Sequence, residues 1–191
     1  MKKIGITGGI GSGKTYVSEV FSSLGIPVFN ADVESKRLMS SSDNLISLVK
    51  DLFGDDIYTN GLLDKQKLAS IVFSDKEKLE NLNNIIHPVV KQEFIDWCKQ
   101  QNSSYVIKET AILFESRSDK GLDAVICVSA PLNIRIDRAV KRDGSSVKEI
   151  KNRIENQISQ EEKENLSDYI IVNDEKDLLL PQIIKIHQLF S

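Results

Sequence analysis

Eight residues, Gly8-Gly9-Ile10-Gly11-Ser12-Gly13-Lys14-Thr15, satisfy the pattern G-x-x-x-x-G-K-[ST] between an apolar strand-like run and a helical one. The chemistry such a stretch performs is to hold a triphosphate. Glycines let successive backbone N–H groups converge on phosphate oxygens, and the first turn of the following helix aims its unpaired donors at the same place. Lys14 supplies a point charge to the β- and γ-phosphates, the Thr15 hydroxyl reaches Mg²⁺, and the Tyr16 N–H is placed for the α-phosphate. A glycine-rich turn without a ligand is the plainer alternative, but pattern and context agree against it. A dinucleotide-binding G-x-G-x-x-G frame fails, because Gly9 and Gly11 would need a third glycine where Lys14 stands.

With a nucleoside triphosphate placed, a switch, a motor and a kinase remain to be separated. No N-K-x-D base-reading motif is present, and the only D-x-x-G, Asp51 to Gly54, closes a helical run. Motor ATPases generally need more chain than this. A small kinase remains, and it needs an acceptor-binding region and a means of excluding water from the transferring group. Asp32, at the carboxyl end of the second predicted strand, can accept a hydroxyl proton and aim the oxygen at the γ-phosphate; the same residue would also serve to cap the helix that follows. Arg135, Arg138 and Arg142 fall at i, i+3 and i+7, on one helical face, opposite Leu132, Ile136, Ala139 and Val140. The stripe is either a solvated face or a set of cations that spreads charge on the transferring phosphoryl group, with Arg142 and then Arg138 the candidates.

The elements that must position these residues are legible as alternating patterns. "KKIGIT", "IPVFNAD", "SYVIKE", "LDAVICVS" and "DYIIVN" read as five buried strands, and the second carries Asn30 and Asp32 at its end. The stretch after the second strand reads as almost wholly helical, with two helices meeting at a His87-Pro88 corner. A basic helical pair follows the fourth strand, its second member opened by the capping box Ser146-x-x-Glu149. Strands alternating with helices predict an α/β protein with a parallel sheet covered on both faces. The expected organisation is one domain: a core of 1–32, 104–130 and 167–191, a helical acceptor-binding part at 33–103, and a lid at 131–166.

Composition sets the outer bounds. The chain has 191 residues, 40% hydrophobic and 28% charged, with a net charge of −3. That length suits one domain, and the slight acidity argues against nucleic acid as a partner. From Arg135 to Arg153, however, seven basic residues meet three acidic ones, so this segment faces something negative or is solvated. No apolar run reaches membrane-spanning length, and the glycine-rich start is no secretory signal. Cys98 and Cys127 lack metal or redox spacing and are expected buried and reduced. The expectation is a soluble cytoplasmic protein without a membrane partner, a monomer or small homo-oligomer.

Taken together, "GITGGIGSGKT", "VFNAD", "LNNIIHPVV", "ILFE", "VICVSAP", "RAVKRDG" with "RIENQ", and "DYIIVND" resemble the dephospho-coenzyme A kinases, in order and spacing, from residue 4 to about 174. The resemblance implies a P-loop, adenylate-kinase-like fold with a five-stranded parallel sheet ordered 2-3-1-4-5, an acceptor subdomain and a lid. It implies ATP-Mg²⁺-dependent phosphorylation of the ribose 3′-hydroxyl of dephospho-CoA, the last step of coenzyme A synthesis. A kinase for another small hydroxylated acceptor and a non-catalytic nucleotide-binding module are the alternatives. By position, Asp32 matches the second aspartate of the family's Asp-Ala-Asp, and Asn30 replaces the first. Glu109, an implied Mg²⁺ contact, stands where the family usually has aspartate, and Ala111 replaces a proline. His87 matches the family's His-Pro, with a substrate role or a structural one. Arg153 and Gln157 match the lid's Arg-x-x-x-Gln, structural or ATP-facing, and Asn173 ends the fifth strand near the expected adenine or simply forms a turn.

Overall fold

The computed structural model describes all 191 residues, the side chains of Phe73 and Ser74 excepted. Two compact units are present, one of residues 1–30 and 101–191, the other of residues 31–100.

The first unit is built on strands β1 (Lys2–Thr7), β2 (Val28–Asn30), β5 (Tyr105–Glu109), β6 (Ala124–Ser129) and β7 (Tyr169–Val172). They form one parallel sheet in the order β2-β5-β1-β6-β7. Counting only the strands of this sheet, that is 2-3-1-4-5. Residues alternate across a strand, so Ile4, Ile6, Tyr105, Ile107, Ile126 and Val128 point to one face. There they pack with Val17 and Phe21 of helix α1 (Lys14–Ser23) and Ile183, Ile186 and Phe190 of helix α9 (Leu179–Phe190). Cys127 points the other way, toward helix α8 (Gln160–Asn165), whose Gln160 donates to its sulfur at 3.3 Å. Helices α6 (Leu132–Asp143) and α7 (Val147–Glu155) share a small core of Ile136, Ala139 and Ile150, and the Ser146–Glu149 capping box opens α7. The six-residue α8 escaped the sequence reading because it is too short to show a helical period.

An ion pair between a fully buried lysine and a partly buried glutamate fastens α8. Lys163 is fully buried and donates to the Glu115 carboxylate at 2.6 Å and to the Ala111 carbonyl at 2.9 Å. The Ile158 N–H donates to the same Glu115 oxygen at 3.2 Å.

The second unit holds helices α2 (Ala31–Ser41), α3 (Asp43–Phe53), α4 (Lys65–Ser74) and α5 (Lys76–Lys99), and a two-stranded hairpin, β3 (Tyr58–Thr59) with β4 (Leu62–Leu63). Two expectations change here. The almost wholly helical reading missed the hairpin, whose turn is Asn60-Gly61 with φ of 52° and 78°; Asn-Gly is the favoured pair for a two-residue turn with both φ positive, so the signal was present. The corner at His87-Pro88 is absent, and α5 runs unbroken through Pro88. Proline in a helix interior costs about 3 kcal/mol. Leu82, Ile86, Val90, Phe94 and Cys98 form a buried stripe on both sides of it, and with roughly 1.5–3 kcal/mol for each large side chain buried, packing outweighs the break. A third change concerns β2, which stops at Asn30, so Asp32 lies in the first turn of α2 and not at a strand end.

Removing Lys163 would strand a carboxylate that already has one buried oxygen without a partner. Lys163→Met is expected to lower stability by about 1–3 kcal/mol, read as a reduced urea midpoint, and Lys163→Met with Glu115→Leu to recover most of the loss.

Candidate active site

The loop between β1 and α1 owes its shape to glycines, two of which also turn through the left-handed region. Gly11 has φ of 76°, and a Cβ there would collide with the Arg135 carbonyl; Gly13 has φ of 95°, and a Cβ would collide with the Asn173 amide nitrogen. Both conformations lie in the left-handed region that L side chains avoid. Gly13 is the N-cap of α1, and no side chain caps that end and no acid occupies its first turn. The first N–H groups of a helix lack intrahelical acceptors, and they carry the positive end of its dipole. An anion is what they suit. Lys14 folds back so that its ammonium donates to the carbonyls of Gly8, at 2.9 Å, and Gly9, at 3.3 Å. Ser12 is buried, its hydroxyl without a partner, while Thr15 and Tyr16 are exposed.

Beside the loop, the sheet register aligns the end of β2 with the end of β5, Asn30 opposite Glu109. The Thr15 hydroxyl donates to one Glu109 oxygen at 3.1 Å, and the Asn30 amide donates to the other at 2.9 Å. Glu109 is only 5% exposed. Two of the three positions that depart from the dephospho-coenzyme A kinase pattern thus touch each other: a longer carboxylate reaches Thr15, and an amide beside it removes a like charge and donates a hydrogen bond. An exposed hydroxyl backed by a carboxylate is the hard-oxygen set that suits Mg²⁺, which takes one or two protein oxygens and completes its shell with phosphate and water. No group of three or more His, Cys, Asp or Glu able to hold a metal occurs among the described residues.

Elements distant in sequence press on the loop. Arg135 of α6 is 5% exposed, and its Nε donates to the Ile10 carbonyl at 3.0 Å. The Gly9 N–H donates to Gln160 at 3.0 Å and the Ile10 N–H to Gln157 at 3.2 Å. Asn173, 9% exposed at the end of β7, donates to the Ser12 carbonyl at 2.8 Å and accepts from Arg138 on its own side-chain oxygen at 3.2 Å. Its carboxamide is therefore engaged with the loop and α6. A cleft of about 200 Å³ opens on the loop, lined by Gly11, Gly13, Lys14, Thr15, Arg138 and Arg142.

The arginine stripe is drawn into three environments. Arg135 goes under the loop. Arg138 lines the cleft while holding the Asn173 carbonyl and Glu175. Arg142 also lines the cleft, with Nε and Nη2 donating to the two oxygens of Asp143 at 2.6 and 3.1 Å, and Arg153 adds a bond to Asp143 at 2.7 Å. Hydrogen bonds from Arg142 and Arg153 hold the Asp143 carboxyl down to about 2. In the second unit, Asp32 is exposed in the first turn of α2 and His87 half-buried on α5. Gln160 carried no signal in sequence, and neither did the burial of Arg135, which its place in a charged stripe argued against.

A glycine loop whose helix-start donors open, with two arginines, onto a cleft at one end of a 2-3-1-4-5 parallel sheet defines a P-loop kinase. The comparisons narrow the class. Residues 2–178 match the dephospho-CoA kinase family. The dephospho-CoA kinase of Porphyromonas gingivalis is 42% identical over 190 residues, covering 97% of this chain and 93% of that one. The structure is similar to that of TT1252 from Thermus thermophilus, with a TM-score of 0.88, 32% identity and 98% and 96% of the two chains covered. Dephospho-CoA kinase from Campylobacter jejuni superposes with a TM-score of 0.71 at 26% identity over 100% and 98%. The chain belongs to the dephospho-CoA kinase family.

Asn30→Asp should set two carboxylates against each other, so that one of the pair keeps its proton to higher pH. The acid limb of the pH–rate profile is expected to move upward, and Asn30→Asp with Glu109→Gln to move it back.

Proposed function

We propose that the protein transfers the γ-phosphoryl group of ATP to the ribose 3′-hydroxyl of dephospho-CoA, giving CoA and ADP. The observation that carries this reading is the cleft onto which the start of α1, Lys14, Thr15, Arg138 and Arg142 all open, in a chain of this family. The donors at the start of α1 bind the phosphates, with Gly8, Gly9, Gly11, Ser12 and Gly13 shaping the loop. Lys14 exchanges its bonds to the Gly8 and Gly9 carbonyls for β- and γ-phosphate oxygens. Thr15 and Glu109 are the residues that would hold Mg²⁺, which would neutralise charge on the phosphate oxygens. Arg138 and Arg142 spread the charge that develops in a loose phosphoryl-transfer transition state. Asp32 accepts the hydroxyl proton, a role supported by its place in the chain two residues after Asn30, whose amide bonds Glu109. His87 contacts the acceptor, residues 33–103 form the acceptor-binding part, and residues 131–166 act as a lid that excludes water. Asn173 sits at the adenine end and braces the loop. No helix of the described residues is long and apolar enough to cross a membrane, and both cysteines are buried thiols. Both facts suit a cytoplasmic enzyme, working as a monomer or small homo-oligomer.

A coupled ADP-release assay with ATP, Mg²⁺ and dephospho-CoA tests the reading, and absence of turnover at any protein level would refute it. Asp32→Asn should cut kcat by ~10²–10⁴-fold with ATP affinity largely kept. Lys14→Ala should lose both affinity and rate, and Arg142→Ala should lose rate more than affinity for ATP.

A further inference from the structure

Three of the loop glycines, Gly8, Gly11 and Gly13, have positive φ, but the φ of Gly9 does not lie in the left-handed region. What a side chain there would meet is Arg135: a Cβ built on Gly9 would overlap the guanidinium at Nη2 and Cζ and come within 2.9 Å of Nε, so the guanidinium would have to move. No other group is among the three nearest neighbours of that position. The space beside Gly9 is thus taken by a cation.

That cation is not part of the cleft. Arg135 does not line it, whereas Arg138 and Arg142 of the same helix do. It is buried under Gly9 and Ile10, its Nε on the Ile10 carbonyl, and around it lies a polar cluster. Gln160 takes the Gly9 N–H and donates to Glu164 at 3.0 Å, and Ser129 donates to Glu164 at 2.6 Å. Burial pushes the neighbouring Cys127 thiol up to about 11, and Glu164, held by Gln160 and Ser129, is the carboxylate of this cluster. Burying a guanidinium is costly unless it is paired and bonded. Here the cost is borne where the loop's peptide groups need holding.

We propose that Arg135 is a positioning residue for the phosphate loop: from the side away from the cleft it fixes the Ile10 carbonyl and thereby the run of amides that receives the triphosphate, and Gly9 leaves it the space. This rests on the kinase reading only in taking the ligand to be a nucleoside triphosphate. Since a hydrogen bond from a charged donor contributes about 1.5–3 kcal/mol, Arg135→Met should weaken binding by roughly tenfold or more.

The experiment measures the dissociation constant of MgATP by calorimetry, without acceptor, together with thermal melting and the KM for dephospho-CoA. For Arg135→Met the expected result is a rise in the MgATP dissociation constant of about tenfold, with the KM for dephospho-CoA within about twofold. Arg135→Lys should recover part of the loss, because an ammonium can still reach the Ile10 carbonyl. Gly9→Ala should weaken MgATP comparably, and its effect should shrink when Arg135 is also replaced, a coupling that independent sites do not show. An unchanged MgATP affinity in Arg135→Met, no recovery with lysine, or effects of Gly9→Ala that multiply unchanged onto those at 135 would overturn the proposal. If Arg135→Met does not fold, Gly9→Ala is compared alone and with Arg135→Lys: a smaller cost beside lysine supports the proposal, and an equal cost overturns it. A chain that binds MgATP in this pattern but does not turn over dephospho-CoA would refute the substrate reading and leave Arg135 in its role.

Discussion

The site depends on one constraint: the peptide groups of a glycine-rich loop must stand still before a phosphate arrives. Ordering a free backbone costs about 1–2 kcal/mol per residue, and glycine has the most freedom to lose. The loop does not face that cost at binding, because its outward-facing groups are already engaged. Gln160 and Gln157 take the N–H groups of Gly9 and Ile10, Arg135 holds the Ile10 carbonyl, and Asn173 holds that of Ser12. These side chains come from α6, α8, the α7–α8 connection and the end of β7. The start of α1 faces the cleft, and the Lys14 ammonium, held on the Gly8 and Gly9 carbonyls, lines it as well; these are the groups an anion needs. Preorganisation of this kind turns interaction energy into affinity instead of ordering.

The same economy operates at the β2–β5 edge. A buried carboxylate needs partners for both oxygens, and Glu109 has them in Thr15 and Asn30. Parallel register brings Asn30 level with Glu109, so the residue types at the two positions constrain each other. An aspartate at position 30 beside this glutamate would pair like charges in a nearly dry place. Asn30 and Glu109, each a departure from the family pattern, are therefore one feature.

Helix α6 shows how depth divides a uniform stripe. Arg135, Arg138 and Arg142 share a face, yet exposure rises along the helix, from a buried guanidinium under the loop to one held by Asp143 near the C-terminal end. Arg138, between them, ties the loop brace Asn173 to the cleft. Charge at a helical spacing marks a face that meets polar partners; the partners themselves come from β7, the loop and α7.

Local chemistry was legible from the residues alone. The phosphate loop, the five strands, the capping box and the Asn60-Gly61 turn depend on neighbours a few positions apart, and backbone sterics and hydrogen bonding act at that range. The almost wholly helical reading overlooked that turn although its signal was present. What tertiary packing decided was different in kind. It kept α5 continuous through Pro88, because a buried stripe on both sides outweighs one lost hydrogen bond. It ended β2 at Asn30 and gave Asp32 to α2. It also filled the space beside Gly9 with a guanidinium 126 positions further along the chain. A side chain's spacing is written in its own segment, but the space left for it is defined by whichever distant groups pack there.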